Sequence, residues 1–404
     1  MSMAKQAEAS AVPKLRFPEF RNDGEWIRRN LGDVVTFSSG GTPSKAEPDY
    51  WNGDIPWISA SSMHEENIAE SDLKVTPLAI GQGARIAPRG SLLLLVRGSM
   101  LFNRVPMGIA LIDVAFNQDV KALKVVSGVA AKFLLGQLIA ISPRIPINET
   151  GIGAGKIETH TLENLPVFLP PHAEQQKVAD CLASLDEVIA AQRRKVDVLK
   201  AHKRGLMRQL FPREGESRPR LRFPEFVDEP EWKANQVNKL ISTVTPPRKI
   251  PTSGYGAEGR LPIVDQSPDP ICGWTDDLEA AIDAPAPLIV FGDHTCVLKL
   301  VNHAFAQGAD GIKIISNLPC IEVRFLYYAL QVDPVSSAAY RRHFSLLQEK
   351  WVAFPEDVVE QKFIADCLSS LDEQITAESN HLATLKTHRL GLMQQLFPFA
   401  EGVL

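Results

Sequence analysis

Two stretches of the chain carry a long stripe of apolar residues at helical spacing. From residue 174 to residue 212 the apolar positions recur at steps of four and three, and the pattern returns 186 residues later, from 360 to 398. The two stretches are identical at 22 of 39 positions without a gap. Such steps place one apolar stripe on one helix face, as in a coiled coil, so each stretch is predicted to be one long helix. The predicted seam consists of Leu182, Leu185, Ile189, Val196, Leu199, Leu206, Leu210, Leu368, Leu371, Ile375, Leu382, Leu385, Leu392 and Leu396.

Polar residues interrupt the seam at matching positions of the two copies. Gln192 and Lys203 interrupt the first stripe, and Glu378 and Arg389 stand at the same positions of the second. A polar seam residue lowers stability but can fix register and partner choice. Each stripe either packs onto its own globular domain or pairs with the other stripe, and the matched interruptions favour pairing as an intramolecular coiled coil. About 37 residues at ~1.5 Å per residue give each helix a length of roughly 55 Å.

A second repeat opens each half of the chain. Residues 13–20 read PKLRFPEF, and residues 219–226 read PRLRFPEF, a shift of 206. Further pairs match at shifts that shrink along the chain: Trp26 with Trp232 and 55–58 with 261–264 at 206, Arg97-Gly98 with Phe291-Gly292 at 194, and 119–123 with 311–315 at 192. The two globular parts are therefore predicted to share a fold while differing strongly in sequence.

The globular parts are predicted to be mixed α/β. Short runs rich in β-branched and large apolar residues, bounded by Gly and Pro, predict strands at 92–96, 287–291 and 312–315. Short helices are predicted late in each part, at 133–141 and 321–332. The fold class is thus α+β, with an internal repeat. The predicted boundaries are 1–12 for a flexible tail, 13–170 for the first domain, 171–212 for the central helix, 213–355 for the second domain and 356–404 for the C-terminal helix.

Composition is that of an ordinary globular protein. Of the 404 residues, 45% are hydrophobic and 23% are charged, and the net charge is −5. No run of 18 apolar residues occurs, and residues 1–12 lack the apolar core of a signal peptide, so a cytoplasmic protein is predicted. The five cysteines form no C-x-x-C motif, which argues against a disulfide or zinc framework. A net negative charge is not typical of a general DNA coater, but local basic clusters decide such binding.

Two segments resemble enzyme motifs without satisfying them. The loop GIGAGK at 151–156 has Thr150 where a phosphate-binding loop needs its first glycine, and Ile157 where it needs a magnesium-binding Ser or Thr. Asp357 and Glu360 form an acidic cluster at a predicted helix start, where a capping role is favoured.

The second domain also contains acidic and histidine residues close together in sequence. Asp293-His294-Thr295 and His303 have no carboxylate framework around them, so they support a metal or general-base role only weakly. The adenine-methyltransferase signatures Asn-Pro-Pro-Tyr and Phe-x-Gly-x-Gly do not occur in the sequence. We therefore predict a non-enzyme, with no catalytic residue, metal ligand or cofactor on this chain.

The remaining polar pattern is typical of nucleic-acid binding. Basic, amide and hydroxyl residues alternate with aromatic residues, and such side chains read base edges or hold phosphates. For any single residue, a solvated loop position is the commoner role. The first-domain candidates are Thr42, Ser44, Lys45, Asn52, Ser61, Arg97, Ser99, Asn103, Arg104, Gln118 and Lys156. The second-domain candidates are Arg248, Lys249, Gln266, Thr275, His294, Thr295, Lys299 and Lys313.

Three segments together resemble the specificity subunit of type I restriction–modification systems. They are the repeated helix EQQKVADCLASLDEVI…LKAHKRGLMRQLFP, the opener KLRFPEF and the block GGTPSKAEPDYWNGDIPWIS. In the second half, FGDHTCVLKLVNHAFAQGADGIKII resembles a target-recognition domain of that family. The resemblance covers nearly the whole chain after Val12, and the duplicated helix is its most specific part.

The resemblance implies an architecture and a task. Two target-recognition domains, each reading half of a split double-stranded DNA site, are expected on either side of an antiparallel coiled-coil pair that acts as a ruler. Two methyltransferase subunits are expected to dock, and restriction subunits to join them. The chain is then a non-catalytic specificity subunit, and S-adenosylmethionine, ATP and Mg are expected on the partner subunits.

Three alternatives stay open at this point. The chain could serve a methyltransferase-only complex within the same family. It could be a DNA nuclease that uses the Asp and His residues of its second domain. It could also be a structural coiled-coil adaptor without DNA preference.

Overall fold

The computed structural model describes residues 12–151, 153–309, 311–335 and 343–398. The predicted flexible tail lies outside the described residues except for Val12. The helices of the described residues are α1 (Leu31–Val34), α2 (Ala131–Ile141), α3 (Thr159–Glu163), α4 (His172–Leu210), α5 (Val323–Val332), α6 (Phe344–Glu349) and α7 (Val358–Leu396). The helices predicted at 133–141 and 321–332 are present as α2 and α5. No helix of the described residues is both long and apolar enough to cross a membrane.

The two predicted long helices are α4 and α7. Each has 39 residues, which corresponds to roughly 58 Å at ~1.5 Å per residue. Every residue of the predicted seam is buried or partly buried. This is the pattern of a helix whose apolar stripe packs against protein while its other faces stay in solvent.

The chain divides into two compact units. Unit 1 contains the described residues up to Gln192 together with those from His381 onward, and unit 2 contains those from Arg193 to Asn380. Each unit therefore holds one globular domain, part of α4 and part of α7.

The first globular domain is built mainly from short strands. Its strands are β1 (Ile27–Asn30), β2 (Val35–Ser39), β3 (Trp51–Ile58), β4 (Asn67–Ile68), β5 (Lys74–Val75), β6 (Arg85–Ala87), β7 (Leu92–Leu95), β8 (Arg97–Gly98), β9 (Met107–Ala110), β10 (Val114–Phe116), β11 (Val120–Val125), β12 (Asn148–Thr150), β13 (Ala154–Lys156) and β14 (Pro166–Leu169). They form four sheets, ordered β2-β11-β7-β9-β4, β5-β3-β10-β6, β12-β13-β8 and β1-β14. In the glycine-rich segment that resembles a phosphate-binding loop, Ala154–Lys156 form the strand β13, whereas a phosphate loop leads directly into a helix at its lysine.

The second globular domain uses fewer strands. They are β15 (Lys233–Gln236), β16 (Ile241–Val244), β17 (Leu261–Val264), β18 (Gly273–Thr275), β19 (Leu288–Gly292), β20 (Leu298–Val301), β21 (Ala306–Gln307), β22 (Ile312–Asn317) and β23 (Trp351–Phe354). Their sheets are ordered β16-β22-β19-β20, β18-β17-β21 and β15-β23. The order β2-β11-β7-β9 of the first domain thus recurs as β16-β22-β19-β20.

The strand register shows which residues of the two domains correspond. Val35 pairs with Val125 in the first domain, and Ile241 pairs with Asn317 in the second. These pairs are related by shifts of 206 and 192, the shifts read from the sequence. The fifth strand β4 and the sheet β12-β13-β8 have no counterpart among the described residues of the second domain.

One predicted match between the halves is wrong. Leu94 pairs with Lys121, and Phe291 pairs with Lys313, so Leu94 corresponds to Phe291. The sequence alignment had placed Arg97 there, three residues further on. Pairing with a neighbouring strand fixes the equivalence, whereas a single shared glycine after an apolar run does not.

The predicted apolar runs form the centre of each domain. Every residue of β7 and of β19 is buried, and each strand lies in the interior of its sheet. A strand covered on both faces reads as a continuous apolar run without alternation. The core therefore lies between these strands and the helices α2 and α5.

Candidate nucleic-acid interface

Each domain is fixed to the start of a long helix by a buried ion pair, which we call the helix joint. In unit 1, Arg16 donates two hydrogen bonds of 2.7 Å to the Glu174 carboxylate, and the Trp26 indole donates a third of 3.2 Å. Arg16 also donates to the backbone carbonyls of Asp23 and Gly24. The Arg16 and Glu174 side chains are only 6% and 1% exposed. Hydrogen bonding to Glu174 raises the pKa of Arg16.

Unit 2 repeats the helix joint. Arg222 donates hydrogen bonds of 2.8 and 2.7 Å to Glu360, and the Trp232 indole donates one of 3.3 Å. Arg222 also donates to the Glu229 carbonyl at 2.7 Å. Hydrogen bonding to Glu360 raises the pKa of Arg222. Removal of either partner from such a buried pair strongly destabilises the fold, because the remaining charge would stay buried without its partner.

The sequence favours only a capping role for Glu360 and does not connect either joint glutamate with its arginine. The signal for the joint was nevertheless present, since the arginine and the tryptophan recur at a shift of 206 and the glutamate recurs at 186. The capping role favoured for Asp357 is confirmed, because its carboxylate accepts a hydrogen bond of 2.8 Å from the Val359 N–H at the start of α7.

In the first domain, several candidates meet where two parallel strands end. β3 and β10 run parallel, with Ile58 beside Phe116, so the residues that follow both strands share one sheet edge. There the Thr42 hydroxyl donates a 2.8 Å hydrogen bond to the Gln118 side chain. Ser61 follows β3 at the same edge, with its hydroxyl 2.9 Å from that of Ser59.

Glycine lets the loop that carries Thr42 reach this edge. A Cβ added to Gly40 would stand 2.2 Å from the Phe116 carbonyl oxygen, which no side chain tolerates. The Gly41 N–H donates to the same oxygen at 2.8 Å. The Trp57 indole donates to the Gly41 carbonyl at 3.1 Å and fixes the loop from the other side.

Two basic candidates join the same edge through strand pairing. β8 and β13 place Arg97 beside Lys156. The Val96 N–H donates to the Asp119 carbonyl at 2.8 Å, which brings Arg97 to the end of β10. Lys156 forms a 2.7 Å ion pair with Glu158, and this contact lowers the pKa of Glu158. We call Thr42, Ser61, Arg97, Gln118 and Lys156 the polar edge of unit 1.

The other first-domain candidates are exposed but lie apart or serve the fold. Ser99 begins a short 3-10 turn after β8, and Asn103 follows that turn. The Arg104 guanidinium donates to the Met63 carbonyl at 2.9 Å. Asn52 adopts a left-handed φ of 60° near the start of β3, at the opposite end from Ser61.

Ser44 and Lys45 lie in the exposed loop that follows Thr42. The Ser44 hydroxyl accepts a hydrogen bond of 3.3 Å from the Ala46 N–H, and its carbonyl accepts one of 3.1 Å from the Trp51 indole. The loop is therefore held from within, and the Lys45 side chain points into solvent from an ordered backbone.

The second domain has an edge at the corresponding place. β17 and β21 run parallel, with Val264 beside Gln307, so Gln266 follows β17 just as Ser61 follows β3. The Thr295 hydroxyl donates a 2.8 Å hydrogen bond to the Gln266 carbonyl. A Cβ added to Gly311, whose φ is +105°, would stand 2.9 Å from the Gln266 amide. The Gln266 amide therefore packs closely against the backbone at Gly311, which restricts the directions in which the amide can point.

The side chain of Lys299, a predicted DNA-binding residue, contacts the protein itself. Its ammonium is buried and donates to the backbone carbonyls of Asp265 and Asp269, at 2.8 and 2.5 Å. Burial lowers the pKa of Lys299. Lys299 thus fixes the loop that presents Gln266. We call Gln266, Thr295 and the loop 265–269 the polar edge of unit 2.

The remaining second-domain candidates are only partly brought together. Lys249 forms a parallel bridge with Gln307 and so lies at the polar edge of unit 2. Thr275 pairs with Leu261, at the opposite end of β17. Arg248 forms ion pairs with Asp277, at 2.8 Å, and with Glu279. Those two carboxylates neutralise its charge.

His294 and Lys313 flank the polar edge of unit 2. His294 is half-buried and directly precedes Thr295. Lys313 is exposed on β22, with its ammonium 5.7 Å from the ring centroid of Phe344. These positions add an imidazole ring and an exposed lysine beside the Gln266 loop.

Asp293, the acidic residue closest in sequence to His294, has a structural role. Asp293 is 5% exposed, and one carboxylate oxygen accepts hydrogen bonds from the N–H groups of His343 and Phe344, at 2.9 and 2.8 Å. It therefore fixes the start of α6. Within the part of the chain that the structure describes, no group of three or more His, Cys, Asp or Glu residues is placed to hold a metal ion.

Both polar edges have the chemistry of base recognition. Amide and hydroxyl groups donate to and accept from base edges, and arginine and lysine bind phosphates or guanine. The edges stand after equivalent pairs of parallel strands but carry different side chains. Neighbouring elements position these groups before any ligand binds.

Comparison with known proteins gives one consistent family. The model for the type I restriction modification DNA specificity domain matches residues 23–201. The specificity subunit of the Escherichia coli type I restriction enzyme EcoR124I/EcoR124II is 27% identical over 168 residues, 41% of this chain and 42% of that protein. The MjaIX specificity subunit of Methanocaldococcus jannaschii is 25% identical over 204 residues, 48% of this chain and 43% of that protein. The matched part of this chain thus spans less than half the length of either relative.

A solved structure resembles nearly the whole chain. The S subunit of a type I restriction-modification system from M. genitalium superposes with a TM-score of 0.60, covering 96% of this chain and 99% of its own. The sequence identity is 16%, so this likeness concerns the fold.

Proposed function

We propose that this chain is a specificity subunit of the type I restriction–modification family, as the matched specificity-domain model and the curated relatives support, and that it gives a DNA-modifying complex its sequence specificity by reading a split DNA site. The first domain reads one half-site through the polar edge of unit 1. The second domain reads the other half-site through the polar edge of unit 2. The chain itself is non-catalytic.

One observation carries this proposal. The two helix joints match in every hydrogen-bonding partner type, whereas the two polar edges differ at equivalent strand ends. A protein that presents two different recognition domains to one DNA duplex needs the same attachment to the helices in both units and different recognition surfaces. A structural adaptor has no such need for preorganised, divergent amide and hydroxyl groups.

The long helices form an antiparallel pair that sets the distance between the half-sites. Within unit 2, Lys195 pairs with Glu378 at 2.5 Å and Lys203 pairs with Asp372 at 2.7 Å. Residue numbers rise along α4 as they fall along α7, which supports an antiparallel arrangement. A polar residue that breaks an apolar seam is a known way to fix such a register.

The chemistry of the complex resides on partner subunits. Two methyltransferase subunits supply S-adenosylmethionine-dependent methylation, and restriction subunits supply ATP- and Mg-dependent cleavage. This chain contributes the DNA address and the docking frame, and neither membrane nor metal takes part in its own task.

An insertion between Ala191 and Val196 tests the proposal. Four added residues lengthen a helix by ~6 Å and keep the apolar stripe nearly in phase, whereas two residues rotate it by roughly 200°. In complexes assembled with the methyltransferase subunits, we expect the four-residue variant to methylate sites whose spacer is longer by about one or two base pairs, at ~3.4 Å each. We expect the two-residue variant not to assemble. Mapping of methylated sites gives the result, and an unchanged spacer in an active four-residue variant contradicts the ruler.

A further inference from the structure

Each unit contains a second ionic contact, at the seam position where a basic residue interrupts the apolar stripe. In unit 2, Lys203 Nζ lies 2.7 Å from both carboxylate oxygens of Asp372. In unit 1, Arg389 Nε and Nη2 lie 2.5 and 3.2 Å from the oxygens of Asp186. Both the basic and the acidic members correspond under the 186-residue shift. The same pair thus occurs in both units, with the roles of α4 and α7 exchanged.

In unit 1 the globular domain adds a third member, Glu66. Its carboxylate lies 2.5 Å from Arg389 Nη2. Glu66 directly precedes β4, and its carbonyl accepts a 2.7 Å hydrogen bond from the Ile109 N–H on β9. A Cβ added to Gly108 would stand 2.5 Å from that carbonyl oxygen, so the two backbones are in close contact. Glu66 is therefore held rigidly on the large sheet of the first domain.

In unit 2 the third member is chemically different. The Tyr328 hydroxyl of α5 donates a 2.9 Å hydrogen bond to Asp372. Lys203 Nζ lies 4.9 Å from the centroid of the Tyr328 ring, a cation–π distance. Tyr328 is 2% exposed, whereas the Asp372 side chain is 37% exposed.

The two domains could not exchange these members. Phe133 of α2 and Phe325 of α5 correspond, since each packs on the phenylalanine that follows the end of a long helix, at 5.4 and 5.3 Å between ring centroids. Three residues further on, the first domain has Gly136 where the second has Tyr328. A Cβ added to Gly136 would already stand 3.2 Å from the Leu182 side chain, which leaves no room for a tyrosine. Conversely, the described residues of the second domain contain no strand like β4 to carry a glutamate.

The basic residue of the ionic pair in each unit suits the chemistry of the third member. An arginine fork has five donors and serves two carboxylates at once, as Arg389 does with Asp186 and Glu66. A lysine ammonium serves one carboxylate and an aromatic face, as Lys203 does with Asp372 and Tyr328. Burial raises the pKa of Glu66, and the charge and hydrogen bond of Arg389 oppose that rise.

We propose that Glu66 and Tyr328 are positioning residues that set the orientation of each recognition domain on the helices, and through it the fidelity of one half-site each. Each domain supplies its own third member to an ionic pair that the helices provide in common. This inference rests on the proposed function, because a half-site must exist for its fidelity to change.

The test compares Glu66→Gln and Tyr328→Phe in the complex assembled with methyltransferase subunits. Methylation rates are measured on DNA with the cognate split site and on DNA with single mismatches placed in either half. We expect Glu66→Gln to lower discrimination about five- to tenfold in one half only, and Tyr328→Phe to lower it in the other half only. Lys195→Ala is the matched control, since its ion pair with Glu378 joins the two helices within unit 2 and the Lys195 side chain is half-exposed.

Arg389→Lys provides an independent second variant. It keeps a cation beside Asp186 but loses the fork that reaches Glu66, so it should reproduce the effect of Glu66→Gln even if that variant assembles poorly. Loss of discrimination in both halves equally, or in neither, overturns the inference while leaving the proposed function in place. A wild-type complex without any half-site preference overturns the proposed function instead.

Discussion

The helix joint of Arg16, Trp26 and Glu174 and the joint of Arg222, Trp232 and Glu360 can be compared bond by bond. Each has two short arginine–carboxylate bonds and one indole bond to the same carboxylate, and its arginine also donates to backbone carbonyls, two in unit 1 and one in unit 2. The polar edges, which follow equivalent strands, share the strand geometry and almost none of the side chains. In unit 1, Thr42 bonds the side chain of Gln118; in unit 2, Thr295 bonds the backbone of Gln266.

Under the proposed function, this difference separates the attachment of the domains from the reading of DNA. A joint that fixes a domain to a helix has one good solution, and the repeat uses it twice. A surface that reads bases must differ wherever the bases differ, and the repeat diverges there. The Glu66 and Tyr328 contacts combine both features. The ionic pair between the helices is the same in both units, but the domain residue that contacts it differs.

The largest expected effect tests the likeness of the joints. Glu174→Ala and Glu360→Ala each leave a buried arginine without its partner, so each should lower the free energy of unfolding by about 3–5 kcal/mol. Chemical denaturation measures both. Glu356→Ala is the control, because its ion pair with Lys233 is largely exposed and should contribute little. Strongly unequal losses at the two glutamates would show that the joints are not equivalent.

The next effect tests the difference between the edges. Gln266→Ala should cost about 1–3 kcal/mol of discrimination at one base of one half-site. Gln118→Ala should do the same in the other half-site. Methylation of site variants that differ by one base measures both, and an effect of either variant in both halves would contradict separate readers.

A smaller, sequence-independent effect is expected at Arg97. Its exposed guanidinium beside Lys156 suits a phosphate contact. Arg97→Ala should weaken binding to all DNA alike and lower the slope of log K against log salt by about one. Arg248→Ala should leave that slope unchanged, because Asp277 and Glu279 already neutralise Arg248. Salt titrations of both variants give the answer.

The smallest expected effect concerns Lys299. Burial places its folded-state pKa below the ordinary lysine value of about 10.4. Between these two pKa values the unfolded chain binds more protons than the folded chain, so this group makes stability rise with pH there. Lys299→Met should remove that rise, whereas Lys313→Met, at an exposed position, should keep it. Unfolding measured across the alkaline range distinguishes the two.

The elements with strong periodicity could be predicted from the sequence. The apolar stripes gave α4 and α7 within two residues at each end, because a 3.6-residue period over many turns has no competing interpretation. The strands β7, β19 and β22 could be predicted because short continuous apolar runs bounded by Gly and Pro are typical of buried strands.

The assembly of the candidate site could not be predicted in this way. Arg97 and Lys156 meet only because β8 pairs with β13, across 59 residues of sequence. The sequence places Lys299 among the DNA-binding candidates, but in the fold its ammonium donates to the backbone carbonyls of Asp265 and Asp269. A single sequence does not reveal which strands pair, so it named candidates without showing which of them share an edge.

The exchange of one domain tests the separation of mounting from reading most directly. Residues 27–170 would be replaced by the corresponding domain of a specificity subunit, which keeps Trp26 and Arg16 of the joint, and methylated sites would be mapped for the assembled complex. The account predicts a new sequence in one half-site, with the other half-site and the spacer unchanged. A change in both half-sites, or in neither, would contradict it.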